Sequence, residues 1–124
     1  MLTAVGIAVA GALGALARYG LEGLVSRSVP GSFPWGTFVV NISGSFLIGL
    51  LFVLLTERLT AEHWLRAALT VGFLGAYTTF STLSLQSYRF VTEGAYGLAL
   101  ANTVGSMAVG VAFVYVGVLV GRAF

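Results

Sequence analysis

Two polar stripes and one dense run of hydroxyls are the residues here whose types and spacing could do chemistry. Thr37, Asn41, Ser45 and Gly49 recur every four residues, placing a hydroxyl, an amide and a second hydroxyl on one helical face. Asn102, Ser106 and Gly110 repeat that interval further along the chain. Between the stripes lies Thr78, Thr79, Phe80, Ser81, Thr82, preceded by Gly72 and Gly75. Hydroxyl and amide protons donate to anions, and an aromatic ring presents a positive edge to one. A cation path would carry carboxylates, and the central parts of these stretches have none, so the residues favour an anion. Catalytic equipment is missing: the chain has no cysteine, no aspartate, one histidine (His63), no phosphate loop and no paired carboxylates. These absences exclude disulfides and thiolate chemistry and argue against a metalloenzyme or any other enzyme.

The elements that must position these groups are set by composition. Of 124 residues, 58% are hydrophobic and 8% charged, against roughly 25% charged in a soluble domain, so the solvent is lipid. The six basic residues, all arginine, are too few and too scattered for a nucleic-acid footprint. Covering about 30 Å of hydrocarbon takes about 20 mostly apolar residues. Four stretches qualify, about Leu2 to Val25, Trp35 to Leu55, Leu65 to Phe90 and Tyr96 to Val120, which predicts an all-α membrane protein forming a single domain over residues 1–124. Ser26 to Pro34, Thr56 to Trp64 and Thr92 to Ala95 are left as loops. The N-terminal stretch lacks a basic flank and a cleavage site, so residue 1 is expected to stay in the mature protein. Arg58, Arg66 and Arg122 flank one side of the membrane, and Arg18, Arg27 and Arg89 the other, so charge specifies no orientation. Such neutrality reads either as a weak signal or as insertion both ways with pairing as an antiparallel dimer. Small residues four apart, such as Gly11 and Ala15, Ser45 and Gly49, Gly117 and Gly121, let helix backbones approach closely.

Within the spans, three features have two readings each. Asn41 either bonds a neighbouring helix or faces a polar pathway. Arg18, deep in the first span, either pairs with Glu22 at i+4 or sits in an aqueous vestibule that concentrates anions. The glycines and β-branched hydroxyls of Gly72 to Gln86 predict a helix break near Gly75 to Thr78, or a kink whose hydroxyls bond back to their own helix. A break would free backbone oxygens suited to a hard cation such as Na⁺.

The stretches Gly36 to Phe46 (GTFVVNISGSF) and Gly72 to Ser84 (GFLGAYTTFSTLS) resemble the corresponding motifs of the Fluc fluoride channels, also called CrcB proteins. The resemblance extends over the whole chain, its size and its four spans. It implies an antiparallel, dual-topology homodimer in the cell membrane with two fluoride pores, and a structural Na⁺ at the dimer interface held by the backbone carbonyls of Gly75 and Thr78. It also implies pore roles for Asn41, Phe80, Ser81, Thr82, Leu83 and Ser106, and makes Arg18 the vestibule arginine. Three positions depart from the family pattern: Leu83 replaces a second phenylalanine, Gln86 a frequent glutamate and Asn102 a frequent tyrosine. Some family members are heterodimers whose subunits have each lost part of a pore, an option that Leu83 leaves open. The function implied is passive, selective export of fluoride conferring fluoride resistance. The alternative is a small four-helix, proton-coupled multidrug transporter, for which Glu22 is the single candidate intramembrane acid.

Overall fold

The apolar stretches become helices because in hydrocarbon every backbone N–H and C=O must be satisfied within its own segment. The computed structural model describes residues 1–124, with no strand anywhere. Four helical stretches are long and apolar enough to cross a membrane: Leu2–Ser28 (α1), Trp35–Arg58 (α2), His63–Thr92 and Tyr96–Ala123. The third is interrupted, giving α3 over 63–77 and α4 over Phe80–Thr92; the last is α5. The third stretch has the lowest mean hydropathy of the three later ones, 1.2 against 2.4 and 2.1, because it carries the hydroxyl run.

The helices run longer than the sequence reading allowed. α1 continues to Ser28 and stops at Val29, the residue before Pro30, where proline disfavours helical backbone. The second loop shrinks to 59–62, because Thr56, Glu57 and Arg58 stay helical. There Arg122 at the end of α5 pairs with Glu57 at 3.0 Å, and Arg58 donates to the Arg122 carbonyl. Trp64 and Thr92 are likewise helical rather than loop.

Inside the helices, three stretches are π-helical: Val53–Arg58, Ala68–Leu74 and Ala101–Gly105. Each holds a threonine whose hydroxyl bonds the carbonyl four residues back, Thr56 to Phe52, Thr70 to Arg66 at 2.7 Å and Thr103 to Ala99 at 2.8 Å. A hydroxyl occupying that carbonyl competes with the backbone N–H and favours a ladder one residue wider.

Packing puts α2 against α5 and α1 against α3. The small residues decide where: a Cβ on Gly49 would run into the Val114 carbonyl, one on Gly117 into Phe46, and one on Gly14 into Phe73. Without a hydrophobic drive between helices in lipid, such close approach is what dispersion requires. A small core of Val40, Leu74 and Tyr77, joined by Leu21, Leu47 and Phe73, ties α1, α2 and α3 together directly beside the break.

Candidate functional site: a groove at the helix break

The predicted break is present at Thr78 and Thr79, both of which have extended backbone (φ −87°, ψ 158° and φ −147°, ψ 112°). Three of the backbone groups the break frees are taken up by particular side chains. The Thr79 N–H, which would otherwise continue the α3 ladder to Gly75, donates to Asn41 Oδ1 at 2.8 Å. Asn41 Nδ2 in turn donates to the Thr79 carbonyl at 3.2 Å. The amide thus acts toward Thr79 as a neighbouring strand would. Arg18 Nε donates to the Ala76 carbonyl at 3.1 Å, a cation at the C-terminal end of a half-helix, where the helix dipole favours it. The Thr79 hydroxyl caps α4, accepting from the Thr82 N–H at 3.3 Å and donating to the Thr82 hydroxyl at 3.0 Å. Tyr77, buried under the break, shares a hydroxyl contact of 2.8 Å with Ser43.

Asn41 bonds the neighbouring segment and also lines a groove of about 720 Å³. That groove brings together Gly75, Thr78, Phe80, Leu83 and Ser106 from α3, the break, α4 and α5. Phe80 is 77% exposed, its ring standing on the open side. Ser106 is buried, and its hydroxyl has no partner in the chain. The remaining expected pore residues lie elsewhere. Ser81 is exposed outside the groove, and Thr82 is occupied in the α4 cap. Arg18 is on the far side of the break, where its 3.8 Å approach to Glu22 is longer than its bond to Ala76. Ser84, Thr103 and Met107 also line the groove and were not singled out by sequence reasoning. Thr103 and Met107 are themselves four apart and line the groove together with Ser106 and Gly110, so of the α5 stripe only Asn102 is turned away.

Asn102, whose polar stripe pointed toward the pathway, is only 1% exposed and faces α4. Its Nδ2 donates to Ser87 Oγ at 3.0 Å and, at 3.5 Å, to the Leu83 carbonyl. Its position within the π-helical stretch of α5 turns it inward. Gln86 lies across from α2, donating through Nε2 to the Thr37 hydroxyl at 2.9 Å. Glu22, the acid required for the transporter alternative, accepts from Thr37 at 2.9 Å and adjoins Arg18.

As a donor set for a metal, the break offers hard backbone oxygens. The Thr78 carbonyl accepts no hydrogen bond within the chain, and Gly75 has lost the Thr79 N–H to Asn41. Two oxygens are short of the about six a hard cation takes, so further ligands would have to come from elsewhere.

A four-helix membrane protein whose third span breaks beside a groove has the architecture of a small channel or transporter, because irregular backbone at membrane depth survives only facing a cavity or protein. Residues 5–118 match the family model described as CrcB-like protein, Camphor Resistance (CrcB). The chain is 49% identical over 116 residues to a protein of Solibacter usitatus named fluoride-specific ion channel FluC, covering 94% of this chain and 95% of that one. It is 46% identical to proteins of the same name from Magnetococcus marinus, over 94% of both chains, and Geobacter metallireducens, over 98% of both. The chain belongs to the CrcB family.

Proposed function

We propose that this protein is a fluoride-specific channel of the plasma membrane that lets cytoplasmic F⁻ leave passively and thereby protects the cell. The observation that carries this reading is near full-length identity of 41% to 49% to proteins named as fluoride-specific ion channels. The groove supports it chemically. Ser106 has a free hydroxyl, Asn41 keeps one N–H beyond its bond to Thr79, and Phe80 exposes its ring, so the lining presents donors and a ring edge. Hydrogen fluoride crosses membranes as a neutral acid and ionises inside, and a potential of 100 mV supplies about 2.3 kcal/mol to drive each F⁻ out. No energy source beyond the potential is needed.

The assembly we infer is an antiparallel homodimer of copies inserted in both orientations. A groove of about 720 Å³ open along one face, with Phe80 77% exposed, leaves the path unenclosed in one chain. Arginine is balanced between the two sides, which permits both insertions. The Gly75 and Thr78 carbonyls of two such copies would together hold a structural Na⁺ that joins them electrostatically. Of the pore roles, Asn41, Phe80, Leu83 and Ser106 are supported by their place in the groove, while Arg18 acts from behind the break and Ser81 and Thr82 from its edge.

The test is ion efflux from liposomes carrying the purified protein, with valinomycin to clamp the potential and chloride-loaded vesicles for comparison. Efflux of F⁻ with retention of Cl⁻ is expected, and would show that one polypeptide suffices despite Leu83. Retention of both ions by monodisperse protein would overturn the homodimer and direct the search to a partner subunit.

A further inference from the structure

Behind the groove, three side chains from three helices form a hydrogen-bonded relay whose polarity admits one arrangement. Gln86 Nε2 on α4 donates to Thr37 Oγ1 on α2 at 2.9 Å, and Thr37 Oγ1 donates to Glu22 Oε1 on α1 at 2.9 Å. An ionised carboxylate only accepts, so the single Thr37 proton goes to Glu22. The Thr37 oxygen must then accept from Gln86, which obliges the amide to present its nitrogen. The consequence is visible at the other end of the amide: Gln86 Oε1 is buried and has no partner. A buried acceptor left unpaired is unfavourable, so something must enforce this orientation. The charge-assisted bond to Glu22 is the strongest in the trio and does so. Thr37 is 2% exposed, which keeps water from substituting for either neighbour. On its other side Glu22 borders a second cavity, of about 430 Å³, shared with Arg18 and Arg27 of its own helix.

We propose that Glu22 is a positioning residue for conduction: by claiming the Thr37 proton it sets the orientation of the Gln86 amide and so fixes α4, which lines the groove, against α2. The inference rests on the channel reading. It predicts that the carboxylate and the amide are interchangeable as a pair and not singly. Gln86→Glu puts two anionic acceptors on one proton. Glu22→Gln removes the charge-assisted bond and lets the Gln86 amide turn. The double exchange E22Q/Q86E restores one donor and one carboxylate with the relay running the other way.

The four proteins, wild type, E22Q, Q86E and E22Q/Q86E, are compared by fluoride efflux from liposomes and by melting in detergent. Each single variant is expected to slow efflux by about tenfold, the loss of one charge-assisted hydrogen bond, with the exchange recovering to within about threefold of wild type. The melting temperatures should follow the same pattern, which keeps the test open should a single variant reconstitute poorly. Losses in the double exchange that equal or exceed the sum of the singles would overturn the relay, as would an unimpaired Q86E. A wild-type protein that passes no fluoride would instead remove the channel reading itself.

Discussion

Asn41 does at the residue scale what a strand does in a sheet: one amide satisfies both the N–H and the carbonyl of Thr79. Asn41→Leu removes both bonds at once and strands two backbone groups at membrane depth. At about 1 kcal/mol for each bond, a lowered melting temperature in detergent is expected together with loss of fluoride efflux. Phe80→Leu should separate the two effects. With 77% of the residue exposed, little intramolecular packing is lost, so melting in detergent should change little while efflux falls by about tenfold or more. A variant melting as much below wild type as Asn41→Leu would show that the ring acts through the fold. Leu83 tests the departure from the family pattern. It lines the groove with Phe80, so Leu83→Phe adds a ring edge there and is expected to sustain or raise efflux.

At the scale of elements, the crossing of α2 and α5 depends on backbone meeting backbone at Gly49 and Gly117. Their would-be Cβ atoms meet carbonyls of the partner helix rather than movable side chains. Gly117→Val therefore has no room to relax without prising the helices apart, and is expected to lower folded yield and melting temperature markedly, with an overpacking cost of about 1–3 kcal/mol or more. The corresponding change at Gly97, where nothing lies within 4 Å, should be tolerated. The π-helical stretch Ala101–Gly105 matters for a different reason, since it turns Asn102 toward Ser87 and leaves Thr103 and Ser106 lining the groove.

The whole molecule has a groove open along one face. α2, α3, α4 and α5 supply its walls, and the open side carries Phe80 and Met107, both exposed. If a second, inverted copy closes that side, chemical crosslinking in detergent should trap dimers, and cysteines placed singly on the loops should label from both sides of intact cells. If the Gly75 and Thr78 carbonyls of two copies hold Na⁺, exhaustive replacement of sodium by N-methylglucamine should abolish efflux, and returning sodium should restore it. Efflux indifferent to sodium would remove the metal from the proposal.

Much of this was legible in residue order alone. Composition made the solvent lipid, and lipid makes helices of every apolar stretch, because an unsatisfied backbone group in hydrocarbon costs several kcal/mol. The break was legible too, since Gly75 and the hydroxyls of Thr78 to Thr82 weaken a helix through purely local chemistry. Helix ends were less so: Glu57 and Arg58 stay helical because Arg122, sixty-odd residues away, meets them. Spacing by fours placed Ser106 and Gly110 of the α5 stripe at the groove but not Asn102, which lies in the π-helical stretch and is buried against α4. Nor could spacing reveal that Arg18 serves the Ala76 carbonyl, or that Glu22, Thr37 and Gln86 meet, since these contacts join separate helices. Local chemistry determines what each segment of this chain becomes. Which polar groups face one another is decided only when glycine contacts lock the helices at particular rotations and depths, as they do for α2 and α5.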